Sequence, residues 1–153
     1  MKRCTELRDL SDDHHRTLGL AKRAKEAAAR HDATAVQSIW REIRDEYDSL
    51  LAEHFFIEED YLLPPLSAVG GVELVRRVKH DHCALRAQVV NGPYNESALA
   101  IFAQRLTDHV RFEERELFPF AEQNLNTADL LQVAGAHREA AANDLSNAGG
   151  YHG

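Results

Sequence analysis

The chain has 153 residues, of which 44% are hydrophobic and 28% charged, and this balance is that of one soluble globular domain. A formal charge of −7 argues against a nucleic-acid surface, and no apolar run approaches the ~20 residues of a membrane helix. The N-terminus has no apolar stretch after its basic residues, and two cysteines cannot form a disulfide framework. We therefore expect a cytoplasmic protein with neither nucleic acid nor membrane as a partner.

The first half of the chain predicts two amphipathic helices. The first begins near Thr5 and ends near Arg30. The second starts at a cap, which is either Asp32 or Thr34, and shows apolar residues at alternating spacings of four and three. We expect the second helix to stop at residues 64–65, which are both proline.

The second half predicts two more long helices. Gly70 and Gly71 precede the third helix, and the Asn-Gly-Pro sequence of residues 91–93 ends it. Asn95 or Ser97 caps the fourth helix, whose apolar side extends to Phe120. Residues 129–145 predict a shorter fifth helix.

These elements predict an all-α fold. No strand pattern is present, and four helices with short connections are typical of an up-down-up-down four-helix bundle, here with a short C-terminal fifth helix. We expect the bundle domain to span residues 1–145. Residues 146–153 are rich in glycine and asparagine and are expected to form a flexible tail.

Each of the four long helices carries one histidine on its apolar stripe. These histidines are His14, His54, His82 and His109. A buried imidazole without a partner is costly, so four of them near the middle of their helices indicate a shared polar layer. In the first helix the choice between His14 and His15 favours His14, because apolar residues lie four and seven positions before it.

An internal repeat adds carboxylates to this layer. His54 and Glu58 occupy the same places in one segment as His109 and Glu113 in another, and residues four apart share one face of a helix. Buried carboxylates need cations, and no lysine or arginine lies on the inner stripes. We therefore expect the two glutamates to bridge two metal ions, with two histidines on each. Imidazole with carboxylate suits iron, manganese or zinc.

Acidic residues also precede all four candidate histidines. They are Asp13, Glu53, Asp81 and Asp108. A metal-bound histidine usually donates its second N–H group to a carboxylate or carbonyl, so some of these acids are hypothesised to serve histidines of neighbouring helices. The alternative is that they are ordinary surface acids. Two positions are open to Glu59 and Glu114, one around the metal ligands and one at the surface, and the surface is favoured.

Taken together, these motifs resemble the hemerythrin-like family, also called the HHE cation-binding domain, in its bacterial branch with four histidines and two glutamates. The resemblance covers about residues 5 to 123. It rests on four motifs, which are, in chain order, Asp-His at Asp13, His-x-x-x-Glu-Glu at His54, Asp-His at Asp81 and His-x-x-x-Glu-Glu at His109. The resemblance implies a non-heme diiron centre with an oxo or hydroxo bridge. Its implied iron ligands are His14, His54, Glu58, His82, His109 and Glu113.

The same resemblance implies a reaction with, or sensing of, a small oxidant: O2, NO or H2O2, in oxidative or nitrosative stress. An enzyme of this kind would carry out catalase-like peroxide or nitric oxide chemistry, and no separate catalytic acid or base is predicted. The alternatives are non-catalytic iron binding or storage, a redox sensor, or reversible oxygen binding. A metal-free bundle with a hydrogen-bonded polar layer is a further alternative.

Overall fold

The computed structural model describes the backbone of residues 2–150 and the side chains of residues 2–143. Its helices are α1 Arg8–Ala29, α2 Ala33–Glu46, α3 Ala52–Ile57, α4 Leu63–Ala68, α5 Val72–Asn91, α6 Glu96–Phe112, α7 Phe118–Asn124 and α8 Thr127–Gly150. A 3-10 turn, Thr5–Leu7, leads into α1. Three π-helical turns, Tyr47–Leu51, Glu58–Leu62 and Glu113–Leu117, join α2 to α3, α3 to α4, and α6 to α7. The described residues include no β-strand.

Because the π turns do not interrupt the helical path, the segments form four bundle helices. The first is α1, the second is α2 to α4, the third is α5, and the fourth is α6 with α7. The first packs against the second and the fourth, and the third packs against the same two. The predicted all-α, up-down-up-down bundle is thus confirmed, with α8 as a fifth helix against the first and second.

Side-chain caps fix the starts of two bundle helices. The Asp32 carboxylate accepts a hydrogen bond of 2.9 Å from the Thr34 amide, and the Asn95 side chain accepts one of 2.9 Å from the Ala98 amide. Each cap satisfies an amide that has no partner within its own helix. The caps are therefore Asp32 and Asn95, and not the alternatives Thr34 and Ser97.

The prediction that Pro64 and Pro65 end the second bundle helix is wrong, because the helix continues to Ala68. Within an α-helix, the proline ring collides with the carbonyl group four residues earlier. Here the π turn Glu58–Leu62 ends just before α4, so proline enters in the first turn of a new α segment, where no amide hydrogen is needed. Pro119 follows the π turn Glu113–Leu117 in the same way.

The fifth helix is longer than the predicted 129–145, since α8 covers Thr127–Gly150. The tail predicted for 146–153 therefore falls partly within this helix, and residues 151–153 lie outside the described part of the chain. Among the described helices, none combines the length and the apolar character that crossing a bilayer requires.

Two hydrophobic clusters make up the core, one towards each end of the bundle. One cluster centres on Trp40, Phe55 and Phe102, and the other on Leu62 and Phe118 together with apolar residues of α8. Along three bundle helices the two clusters are separated at the predicted histidine, and along the second they are separated between His54 and Glu58. A polar layer thus divides the core.

Candidate metal centre

Six buried polar residues make up the layer between the two clusters. They are His14, His54, Glu58, His82, His109 and Glu113, and none is more than 4% exposed. Each bundle helix supplies one histidine, and the second and fourth each add a glutamate at the first position of a π turn. The structure therefore brings together all six residues that the sequence predicted as metal ligands.

The Nε2 atom of every histidine in the layer faces a glutamate carboxylate. The Nε2–Oε distances are 2.9 Å for His14–Glu113, 3.3 Å for His54–Glu58, 3.1 Å for His82–Glu58 and 3.4 Å for His109–Glu113. Only the contact between His14 and Glu113 also has the angles of a hydrogen bond. All four imidazoles thus point their Nε2 atoms inwards, and those of His54, His82 and His109 have no hydrogen-bond partner.

These donors form two groups that share both glutamates. One group consists of the two glutamates with His14 and His54, and the other of the same glutamates with His82 and His109. Within each group the donor atoms lie within 4.8 Å of one another. Donors on opposite sides of an ion held at ~2.1 Å lie about 4.2 Å apart. Each group therefore has the dimensions of a coordination sphere for one metal ion.

Most of the inward-facing atoms have no hydrogen-bond partner. They are Nε2 of His54, His82 and His109, both carboxylate oxygens of Glu58, and Oε2 of Glu113. A buried polar atom left unpaired costs ~1–3 kcal/mol, and more when it is charged. Cations between the two glutamates would satisfy these atoms, and the donor set of imidazole and carboxylate fits iron, manganese or zinc.

A second ring of carboxylates binds the outer nitrogen of each imidazole. The Nδ1–O distances are 2.7 Å for His14–Glu114, 3.0 Å for His54–Asp13, 2.8 Å for His82–Glu59 and 3.0 Å for His109–Asp81. Each bundle helix supports the histidine of the next one around the bundle, and the fourth helix supports that of the first. An Nδ1–H group that donates outwards leaves Nε2 free as a ligand.

Cationic side chains contact this outer ring from further out. Arg86 donates to Glu59 at 3.0 Å, and Arg77 donates to Asp81 at 3.3 Å. Glu114 receives a bond of 3.4 Å from Arg3, and Ser11 donates to it at 2.8 Å. The outer carboxylates are therefore themselves held in place.

Protons compensate the glutamates when no metal is bound. Burial lowers the pKa of His14, but its hydrogen bonds to Glu113 and Glu114 outweigh burial and raise the pKa to about 8. Burial also opposes the change at His82, where contacts with Glu58 and Glu59 raise the pKa to about 9. Burial raises the pKa of Glu113, yet the charge of His109 and the contact with His14 hold it well below its ordinary value. The layer is therefore built for positive charge beside its glutamates.

The family model of the hemerythrin HHE cation binding domain matches residues 5–121. This chain belongs to that family. No curated protein and no solved structure matches the chain significantly. The resemblance deduced from the motifs is thus confirmed, and the buried histidine and glutamate groups of this HHE domain are able to hold metal cations.

The fold of this HHE domain bears on two alternatives that the sequence left open. His14, the histidine that the sequence favours, is buried in the layer with the other five residues, whereas His15 is exposed. Asp13 and Asp81 support histidines of neighbouring helices, as hypothesised. Glu53 and Asp108 are exposed, and for these two residues the alternative prediction of ordinary surface acids is confirmed.

Two contributors were ranked wrongly and one was missed. A surface position was favoured for Glu59 and Glu114 over one around the metal ligands, yet they contact the imidazoles of His82 and His14. A signal existed, because both follow the inner glutamate directly and recur in the repeat. His137 of α8 contacts Asp13, and its position along the chain gave no signal.

Proposed function

We propose that this HHE domain holds two iron ions as a non-heme diiron centre and that it reacts with or senses a small oxidant: O2, NO or H2O2. Glu58 and Glu113 would bridge the ions. His14 and His54 would complete one position, and His82 and His109 the other. The observation that carries the proposal is the pair of four-donor groups that share both glutamates.

Charge supports the presence of cations. Six carboxylates surround the four imidazoles, two inside and four outside, whereas three guanidinium groups contact them. The layer is therefore anionic when its imidazoles are neutral, which is the state that binds metal. Divalent cations between Glu58 and Glu113 would offset this charge at a place where the described side chains supply no lysine or arginine.

Iron would supply redox chemistry and open coordination positions, because two imidazoles and shared carboxylates do not fill the coordination sphere of either ion. The chain's own residues hold and isolate the centre. Each imidazole is fixed at its outer nitrogen, and Phe55 stacks on His82 with 3.9 Å between the ring centroids. Apolar clusters on both sides of the layer keep water from it. A small molecule such as O2, NO or H2O2 suits a site so enclosed.

Iron loading tests the metal part of the proposal. We expect the chain to take up two ferrous ions under anaerobic conditions. The variant His14→Ala should lose at least one of them, because it removes a donor from one group. His15→Ala is the matched control and should still bind two, since His15 is exposed. The absence of iron uptake, or equal uptake by both variants, would refute the diiron proposal.

Exposure of the loaded protein to O2, H2O2 and NO in turn tests the reactivity. We expect the near-ultraviolet absorption of a bridged ferric pair to change with at least one of them. Repeated consumption of peroxide or NO would identify an enzyme. A single stoichiometric change would identify a sensor, and reversible change with O2 a carrier. A loaded protein inert to all three reagents would leave iron storage as the function.

A further inference from the structure

One of the four outer carboxylates, Asp13, has a different kind of partner from the other three. Glu59, Asp81 and Glu114 each contact an arginine, whereas Asp13 contacts a histidine, His137. Among the described side chains, no arginine or lysine lies within ion-pair distance of Asp13. Asp13 is also the outer carboxylate against which α8 packs.

The contact links α8 to the layer through two short bonds. Nε2 of His137 lies 2.9 Å from Oδ2 of Asp13, and the same oxygen lies 3.0 Å from Nδ1 of His54. The Nε2 atom of His54 then faces Glu58 at 3.3 Å. His137 belongs to α8 and lies beyond residues 5–121, which match the family.

The Asp13 side chain has space for an alternative position. A cavity of about 190 Å³ opens beside it, between the first bundle helix, the second and α8, and Ser49 and His54 are among its lining residues. The Asp13 side chain is 15% exposed, which is the lowest exposure among the four outer carboxylates. Among the described side chains, only His54 and His137 bond to its Oδ2 atom, so without His137 the contact with His54 alone keeps the carboxylate from turning into the cavity.

We propose that His137 is a positioning residue of the metal centre, holding Asp13 against His54 and so fixing the ring of one ligand. The inference rests on the proposed metal site. Since His54 belongs with His14 to only one of the two donor groups, His137 acts on one metal position and leaves the other alone. The fifth helix is thereby part of the centre rather than only a cover for the bundle.

Zinc, which is redox-inert, serves as the probe in the full chain. Two variants are compared: His137→Ala removes the contact, and His137→Gln keeps a side-chain donor. His80→Gln is the control, because His80 is an exposed histidine whose Nδ1 lies 3.9 Å from Asp81 without bonding to it. If the alanine variant does not fold, His137→Leu fills the space without a donor. Zinc affinity is measured by competition with a chelator, and imidazole N–H exchange by NMR of histidine labelled with nitrogen-15.

We expect His137→Ala to weaken one of two zinc sites by about tenfold, the lower end of what loss of support for a ligand costs. The Nδ1 proton of His54 should exchange with solvent at least tenfold faster, while those of His82 and His109 stay slow. His137→Gln should restore most of both quantities, and His80→Gln should match the wild type.

Any other result would refute either the positioning role of His137 or the proposed metal site. Equal loss at both zinc sites, or faster exchange at all four imidazoles, would mean that His137 only stabilises the fold. A His137→Ala variant indistinguishable from His80→Gln would refute the positioning role while the metal site stands. A wild-type chain that binds no zinc and no iron would refute the proposed function itself.

Discussion

Each imidazole of the layer is held at its outer nitrogen, and this sets its chemical form. The Nδ1 atom faces a carboxylate that accepts a hydrogen bond, at 2.7–3.0 Å. A neutral imidazole has one N–H group, so donation from Nδ1 makes Nε2 the acceptor and ligand. The outer carboxylates therefore select the tautomer that binds metal, besides orienting the ring.

Asp81→Asn tests this support at a single residue. The change removes the negative charge that faces Nδ1 of His109, and loss of such support costs 10–100-fold in metal affinity, as an order-of-magnitude estimate. We expect this loss at the position formed by His82 and His109, measured by chelator competition. The other position should change by much less.

Asp108→Asn is the matched control for that change. Asp108 also directly precedes a ligand histidine, but it is exposed and accepts its hydrogen bond of 2.8 Å from Gln104. Its replacement should leave both affinities unchanged. Equal affinities for the two variants would show that the contact of Asp81 with His109 does not support metal binding.

The inner six residues were predictable because each breaks a pattern within its own helix. A histidine or glutamate on an apolar stripe is visible in one helix alone. Glu59 and Glu114 break no such pattern, and their roles depend on which helix lies next to their own. His137 depends on where α8 docks. Contacts between helices were thus the part of the site that single-helix patterns did not supply.

At the level of helices, the π turns place the bridging glutamates. Glu58 and Glu113 are each the first residue of a π turn, and the following residues, Glu59 and Glu114, reach the neighbouring helix. A π turn holds an extra residue relative to an α turn, so it changes the direction of side chains after it. Two consecutive glutamates can thereby serve the inner and the outer ring.

Capping of the fourth bundle helix gives a test of stability apart from metal. Asn95→Ala removes the acceptor for the Ala98 amide and should lower the free energy of unfolding by about 1 kcal/mol. Urea denaturation of the metal-free protein measures this change. Ser97→Ala, at the other residue the sequence offered as a cap, is exposed and should change stability by less than about 0.5 kcal/mol. A larger loss in Ser97→Ala would contradict the assignment.

Helix number, order and most boundaries followed from the sequence, because glycines, asparagines and apolar spacing act locally. The extension through Pro64 and Pro65 did not, since it depends on a π turn that no local residue preference indicates. The fifth helix was recognised but begins and ends outside its predicted limits. Its bounds in this structure are Thr127 and Gly150.

At the scale of the whole molecule, the layer that can bind metal lowers the stability of the metal-free fold. The two apolar clusters favour folding, while the layer between them buries carboxylates and imidazoles whose pairing is incomplete. Protons or metal ions must supply the missing positive charge. The state of the layer therefore couples the stability of the whole bundle to pH.

The metal-free protein should lose stability as the pH rises above neutral. His14 and His82 have pKa values of about 8 and about 9, above the ordinary value of 6.5. A raised pKa contributes stability that is complete below pH 6.5 and disappears as the pH passes through these values. The lowered pKa of Glu113 acts in the opposite direction, and its contribution is lost as the pH falls below 4.5. Urea midpoints measured with a chelator should be highest between these limits.

The stabilisation that bound metal adds should grow over the same alkaline range. Metal and proton compete for Nε2 of His14 and His82, so uptake at about pH 6 must displace protons, and apparent affinity should rise up to about tenfold per pH unit for each proton displaced. Bound metal stabilises the folded state by an amount that grows with the logarithm of the ratio of metal concentration to Kd. Because the Kd falls as the pH rises, the difference between the urea midpoints of the loaded and the metal-free protein should widen from about pH 6 to about pH 9. The variant lacking both imidazoles, His14→Gln with His82→Gln, should show a much smaller change in that gap. A gap that stays constant in the wild type would mean that these imidazoles do not exchange protons for metal.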